Sequence, residues 1–362
     1  MRMGIVVKKF GGSSVATPEK IKAVAARIVK EKGPKDQVVV TVSAMGDTTD
    51  DLIKLAKSVT ENMRSREMDM LLATGEQVSI ALLAMALTDL GCPAVSLTGA
   101  QAGINTNSVH MKARIHEVNP DRVFEELSRG NVVVVAGFQG SAPNGDITTL
   151  GRGGSDTTAV AIAGALNAGV CEIFTDVDGV YSADPRVVKT ARKMKEITYN
   201  EMLEMARLGA VVMQPRSVEL GKRYGVPIHV RSTFTSEPGT IIREGYTMEE
   251  KDFMVRGVTH DLNVAKVAVL GVPDRPGIAY KVFSALAEAN IDVDMIVQSI
   301  RNTDKKINDI VFTVAKSDVA QTRSVMDKVG AELGVLGVLV DEDVGKISIV
   351  GVGMLGSPGI AA

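Results

Sequence analysis

Cysteine is nearly missing: the 362 residues contain two, Cys92 and Cys171. Each lies in an apolar stretch and neither belongs to a C-x-x-C pair, so a disulfide framework or a thiolate zinc site is not expected, and a reducing cytoplasm fits. An excess of charge is missing as well, since 41 basic residues face 43 acidic ones for a formal net charge of -2. No overall field then draws the chain to nucleic acid or to an anionic membrane, and a small substrate is the expectation. No run of about 18 uninterrupted apolar residues occurs, and the apolar run in MRMGIVVKKF is too short for a signal peptide. No segment is expected to span a membrane. The G-x-x-x-x-G-K-[ST] phosphate loop is absent too.

The length is that of two or three domains. In the first part, the apolar run GIVV spills into KKFGGSS, and TPEKIKAVAARIVKEKGP follows with Thr17 as N-cap, Pro18 at the first helical position and Ile21, Val24, Ala25 and Ile28 at helical spacing. QVVVTVSA, from Gln37, completes a strand, helix, strand unit of the right-handed parallel kind. NVVVVAGF (131–138), CEIFTD (171–176) and PIHVRS (227–232) are further buried strands, separated by helical stretches such as DTTAVAIAGALNAG. Residues 1–245 are therefore an open α/β sheet domain, and the charged stretch 246–256 is a linker.

Beyond it lies a repeat. At an offset of 80, GVTHDLNVAKVAVLGV (257–272) matches GVLVDEDVGKISIVGV (337–352), and PGIA recurs after a two-residue insertion. The first copy, 257–340, reads strand, helix, strand, strand, helix, strand, the βαββαβ ferredoxin-like order. The second, 341–362, stops at PGIAA where its first helix would begin, which is the pattern of a fragment or truncated product. Gly351, Gly353 and Gly356 imitate a dinucleotide fingerprint, but the helix and acidic residue that the fingerprint needs have no room, and the repeat accounts for the glycines.

Candidate chemistry gathers at strand ends. Gly11 and Gly12 allow backbone N–H groups close to a ligand, with a lysine beside them for phosphate, although an ordinary strand-to-helix turn has the same letters. VSAMGDTTDDL supplies the hydroxyls of Ser43, Thr48 and Thr49, as a solvated turn would. ATGEQVS places Glu76 among small and apolar neighbours, and a helix N-cap at Thr74 with a first-turn acid would explain both residues. TTLGRGGSDTTA frames Arg152 with Gly151, Gly153 and Gly154 and delivers Ser155 and Asp156 to a helix start; such an arginine can grip a carboxylate or phosphate bidentately. FTDVDGVYSADPR ends a strand in Thr175, Asp176 and Asp178 and adds Tyr181, Asp184 and Arg186, residues that suit a nucleotide or a pair of turns. Together these groups suit phosphoryl transfer between two anions, which needs positioning and positive charge with Mg²⁺ bridging the oxygens.

The set KFGGSS, VSAMGDTTD, ATGEQVS, TTLGRGGSDTTA, TDVDGVYSADPR and VRSTFTSEPGT resembles the aspartate kinases of the amino acid kinase superfamily, across essentially the whole chain. The C-terminal pair resembles tandem ACT regulatory modules. The resemblance implies an open, mostly parallel sheet sandwiched by helices, and transfer of the ATP γ-phosphoryl group to the β-carboxylate of L-aspartate, the first step toward lysine, threonine and methionine. It implies that Lys9 and Asp156 are catalytic and that Phe10, Gly11 and Gly12 join Lys9 around the phosphates. Ser43 and Thr49 would touch the substrate, Glu76 would pair with its α-ammonium, and Arg152, with Gly153, Gly154 and Ser155, would hold its α-carboxylate. Thr175, Asp176, Tyr181, Asp184 and Arg186 would hold ATP, with Mg²⁺ arriving on the nucleotide and no protein ligand assigned to the metal. Val211 stands where several members carry a lysine that reaches ATP, so no role follows for it. Asp274, Gly277, Ile278, Ala279, Asp292, Asp294 and Gln298 match effector positions, and a turn plus helix start would also explain them. The resemblance further implies a lysine or threonine effector between paired modules, feedback that the incomplete second module would weaken, and a homodimer or hetero-oligomer through those modules. A glutamate or N-acetylglutamate kinase is the nearest alternative, and a non-catalytic amino-acid sensor a more distant one.

Overall fold

The computed structural model describes residues 4–210, 212–245, 255–302 and 307–351. They fall into two compact units, one ending at Gly257 and the other running from Val258 to Ile349, with Val350 counted again in the first.

The first unit is built on an eight-stranded sheet. From one edge its strands run Glu196–Thr198, Thr240–Arg243, Ile228–Ser232, Val170–Thr175, Ile5–Phe10, Gln37–Val42, Val132–Ala136 and Ala94–Leu97. Neighbours pair in parallel except Ile228–Ser232 with Thr240–Arg243. The central strands are valine-rich because both of their faces are covered. On one face Ile21, Val24, Ala25 and Ile28 of helix Pro18–Glu31 and Ile80, Leu83 and Leu87 of helix Ser65–Asp89 cover Val38, Val40, Val132 and Val134. On the other, Ala159, Val160, Ile162 and Ala163 of helix Gly154–Ala165 cover Val7, Val39, Val133 and Ile173. Each such Val, Leu or Ile contributes about 1.5–3 kcal/mol when fully buried. The expected helix start is present: Pro18 opens the helix and the Thr17 side chain accepts from Lys20 N at 3.4 Å.

ATGEQVS is not a helix start. It lies in the middle of the 25-residue helix Ser65–Asp89, where the Thr74 hydroxyl donates to Leu71 O rather than capping anything. A Cβ on Gly75 would approach the Ala44 Cβ to 2.9 Å, so this glycine marks close packing inside the helix. By length and composition this helix could cross a bilayer, but half of that apolar window is buried within the protein and it carries the buried acids Asp69 and Glu76, which makes it a core helix. The short strands Ile104–Thr106, Ile115–Val118, Gln139–Ser141 and Ile147–Thr149 form a separate four-stranded sheet. At three or four residues each, they are too brief for alternation to announce them.

The second unit holds the antiparallel strands Ile296–Asn302, Ile307–Ala315, Val264–Pro273 and Gly337–Asp341, in that sheet order. With helices Ile278–Glu288 and Val319–Leu333 interleaved in sequence, this is the βαββαβ arrangement. Its core joins Val267, Val269, Val282, Leu286, Phe312 and Met326. Strand Lys346–Val350 pairs with Gly257–Asp261. Gly353 and Gly356 of the imitation fingerprint lie outside the described residues, and so does Val211.

Candidate active site

The carboxyl ends of the central strands finish level. Phe10 lies beside Val42 on one side and Phe174 on the other, and Val42 lies beside Ala136. Ligands of open α/β sheets bind beyond such ends. Here Gly11 N donates to Phe174 O at 3.4 Å, Ser43 N donates to Phe10 O at 3.1 Å, and Gly46 N donates to Gly12 O at 3.1 Å. A Cβ on Gly12 would meet Ala44 O at 2.9 Å, so only glycine lets these two turns close on each other. Lys9 and Asp156, both nine-tenths buried, meet with Nζ 2.6 Å from Oδ1. The contact is ionic and lies off the direction of a good hydrogen bond.

Glu76 reaches the same strand ends from the long helix. Its Oε1 accepts from Ala44 N at 3.1 Å, while Oε2 is buried with no hydrogen-bond partner among the described residues. Burial pushes its carboxyl up to about 7, against the opposing pull of the Ala44 N–H. A buried, half-satisfied carboxylate calls for a cationic or donating ligand. Arg152 stands between Gly151 and Gly153, at φ +76° and +72°, and is exposed. A Cβ on Gly153 would overlap Gln214 Cγ at 1.8 Å, so the loop is shaped around its neighbours before any ligand arrives. Gly154, Ser155 and Asp156 open helix Gly154–Ala165, and Ser155 Oγ lies so near Gly137 that a Cβ there would approach to 2.6 Å. Thr49 lies in the first turn of helix Thr48–Val59.

At the end of strand Val170–Thr175 the Thr175 hydroxyl donates to Asp176 Oδ1 at 3.0 Å, and Asp176 is exposed. Tyr181 and Lys193 both engage Asp178, the Tyr181 hydroxyl donating to Oδ1 at 2.9 Å and Lys193 Nζ lying 3.0 Å from Oδ2. Burial pulls the Asp178 carboxyl up, and Lys193 with the phenol outweighs it, so the carboxyl lies below its usual range. The Arg186 guanidinium grips Asp184 through Nε and Nη2. Lys9, Asp156, Glu76, Ser43, Ser155 and the glycines are thus gathered at the strand ends, whereas Tyr181 and Arg186 are turned onto their own aspartates. Two groups were not singled out from the sequence: Lys193, which reaches Asp178 across fifteen positions, and the fully buried Asp69. A lysine in a polar stretch has no pattern that would betray it; Asp69 left one trace, an acid inside an apolar helix. Among the described residues no group of three or more His, Cys, Asp or Glu side chains is arranged to hold a metal.

A model of the amino acid kinase family matches residues 4–232, and one of the ACT domain matches residues 266–334. The chain belongs to the amino acid kinase family, as an aspartokinase. It is 50% identical to the aspartokinase of Mycolicibacterium smegmatis and 49% identical to that of Corynebacterium glutamicum, in each case over 99% of this chain and 86% of the relative. Among solved structures, aspartate kinase from Synechocystis is 46% identical with a TM-score of 0.61, covering 99% of this chain and 61% of its own. Escherichia coli aspartokinase III in complex with aspartate and ADP, in its R-state, is 26% identical with a TM-score of 0.81, covering 99% of this chain and 90% of its own. This aspartokinase is therefore a phosphotransferase that uses ATP and takes the side-chain carboxyl of aspartate as acceptor, a reaction of amino-acid biosynthesis.

In the ACT unit, Gly277, at φ +88°, caps helix Ile278–Glu288, which begins with Ile278 and Ala279. Asp274 and Asp292 are exposed, as is Gln298 on the outer strand Ile296–Asn302. Asp294 is already engaged by Lys346.

Proposed function

We propose that the aspartokinase reads its substrate through two charges of opposite sign: Glu76 takes the α-ammonium of L-aspartate and Arg152 its α-carboxylate, with Ser43, Thr49, Gly153, Gly154 and Ser155 completing the pocket. The unpartnered, buried Oε2 of Glu76 carries this reading, because an ammonium supplies the missing partner and the charge that keeps the carboxyl ionised. Held in this way, the β-carboxylate attacks the γ-phosphorus, and the bond to the β,γ-bridging oxygen breaks to release ADP. Lys9 lies where charge grows on the transferring oxygens, and the backbone N–H groups of Gly11 and Gly12 add donors that need no rearrangement. Asp156 holds the Lys9 ammonium in place until the phosphate competes for it. Phe10 borders this cradle.

ATP lies toward Thr175, Asp176, Tyr181, Asp184 and Arg186. Asp178 and Asp184 are held by Lys193 and Arg186, which leaves exposed Asp176 as the carboxylate best able to meet the metal that the nucleotide brings. Bound Mg²⁺ would neutralise phosphate charge. The ACT unit takes an amino-acid effector at Asp274, Gly277, Ile278, Ala279, Asp292, Asp294 and Gln298. Aspartokinase III of Escherichia coli has been solved with lysine and aspartate in a T-state, which supports lysine as one candidate. Self-association through such modules and a cytoplasmic setting complete the reading.

A kinase for N-acetylglutamate would leave Glu76 facing no ammonium. ADP release from Mg-ATP, measured with L-aspartate, L-glutamate and N-acetyl-L-glutamate and with hydroxylamine to trap the acyl phosphate, separates the readings. Aspartate-dependent hydroxamate is expected; hydroxamate with the acetylated substrate would overturn the role of Glu76.

A further inference from the structure

Asp69 is fully buried on helix Ser65–Asp89, seven positions and about two turns before Glu76, so both acids share one face of the helix. Unlike Glu76, it is saturated. The Thr149 hydroxyl donates to Oδ1 at 2.5 Å, Met111 N lies 3.1 Å from Oδ1 and 3.2 Å from Oδ2, and His110 Nδ1 lies 2.7 Å from Oδ2. Burying a carboxylate is costly, and one that accepts this many bonds is there to hold what it touches.

What it touches leads to Arg152. Met111 has φ +66°, an uncommon conformation for a residue with a side chain, and its carbonyl lies against Gly151, where a Cβ would approach it to 3.1 Å. Thr149 O accepts from Ala113 N at 2.9 Å. Arg216 then ties the two segments together, donating from Nη1 to Leu150 O at 2.8 Å and from Nη2 to Ala113 O at 2.9 Å. Thr149 is thus fixed at side chain and carbonyl, Leu150 at its carbonyl, and Gly151 by Gly154 N, which donates to its carbonyl at 3.0 Å, while the next residue, Arg152, is exposed and meets no hydrogen-bond or ionic partner among the described residues.

We propose that Asp69, acting through Thr149 and Met111, is a positioning residue that sets the backbone from which Arg152 reaches the substrate carboxylate, with Arg216 as its counterpart on the other side of the strap. An exposed arginine on a glycine-flanked loop loses much freedom when it grips a carboxylate, and a pre-set backbone lowers that cost. The inference rests on the reading of Arg152 as the α-carboxylate clamp.

The test uses the full chain and compares KM for aspartate with KM for ATP in Thr149→Val, Thr149→Ser, Asp69→Asn and Arg152→Ala. Thr149→Val and Asp69→Asn are expected to raise the aspartate KM about tenfold while the ATP KM stays within about twofold, and Thr149→Ser, which keeps the donor, is expected to reverse most of the change. If Asp69→Asn fails to fold, the valine and serine pair decides alone. In the double variant Thr149→Val/Arg152→Ala the aspartate KM should equal that of Arg152→Ala, because a support without its clamp has nothing left to place. A normal aspartate KM in Thr149→Val, or aspartate and ATP KM rising together, overturns the inference while Arg152→Ala still shows its defect. An unchanged aspartate KM in Arg152→Ala overturns the clamp itself, and the inference with it.

Discussion

Lys8 and Lys9 leave the same strand on opposite faces of the sheet, and each meets acids there in a different proportion. Lys8 Nζ lies 2.6 Å from Glu31 and 2.7 Å from Glu172. Arg231 reaches both acids, at 3.2 and 2.8 Å, Arg27 reaches Glu31 at 3.0 Å, and all three cations stand over the Phe174 ring at 4.5–5.3 Å. Lys9 has Asp156 and, beyond it, the glycine turns. The acids differ in the same way. Burial pushes both Glu31 and Glu76 upward, but Lys8, Arg231 and Arg27 bring Glu31 down to about 2, whereas Glu76 remains near 7 with one backbone N–H to satisfy it. Around Lys8 the charges close among themselves and lock the helix to the sheet; at the strand ends Lys9 meets a single acid and Glu76 keeps an oxygen without a partner among the described residues, a partner that a substrate can supply. Two identical residues one position apart acquire different tasks because a strand alternates its faces.

The contrast breaks most visibly at Lys9. Lys9→Ala should lower kcat by at least about 100-fold, the order expected on losing one preorganised charge at the reacting oxygens, and should also lower the melting temperature, because Asp156 is left buried without its cation; near-native turnover of the folded variant in a steady-state ADP-release assay would refute the cradle. Next comes Glu76. Apo, its carboxyl is protonated below about pH 7 and must ionise to pair with an ammonium. Aspartate KM should therefore fall as pH rises from about 5 to about 7, by up to about tenfold per unit, and level off above. Glu76→Gln should raise that KM by about tenfold or more at pH 8 and flatten the profile; a slope that persists in the glutamine variant would place the titrating group elsewhere.

Much of this was legible in the letters, and the misses share a cause. Thr17 and Pro18 announced a helix, valine runs announced buried strands, and the order of the ACT unit could be read from its periodicity, because those signals are local. The glycines at 11, 12, 151 and 153 signalled backbone that must pass close to something. Glu76 was singled out, but a helix N-cap at Thr74 with a first-turn acid explained it as well, because nothing local shows that the segment lies mid-helix with Glu76 buried. Asp69 serves residues 110, 111 and 149, and the partners of Lys8 come from positions 31 and 172. Pairings over such separations leave no periodic trace, so a closed ion network and an open catalytic pair look alike in sequence.

A smaller effect is expected on the structural side. Lys8→Met removes one of three cations but leaves Arg27 and Arg231 on the same acids, so the loss should fall at or below the low end of the range for breaking a buried pair, about 3 kcal/mol. It should appear as a lower urea midpoint with kcat within about twofold of native. A kcat loss rivalling that of Lys9→Ala would erase the division between the two faces.

The finest test follows Glu31 with pH. Its folded carboxyl titrates near 2 against 4.5 for the unconstrained group. A depressed folded value contributes stability that is fully present above about pH 4.5 and is lost as pH falls toward 2. Glu31→Gln should therefore be less stable than the parent at pH 7, and urea midpoints measured at intervals down to pH 2 should draw the two proteins together, because protonated glutamate and glutamine present similar neutral groups to the three cations. Other paired acids make both proteins less stable in acid, so the difference between them is the informative quantity. Curves that stay parallel through this window would show that Glu31 holds its helix by packing and hydrogen bonds alone, and that the charge on this face is as incidental to stability as the charge on Lys9 is essential to turnover.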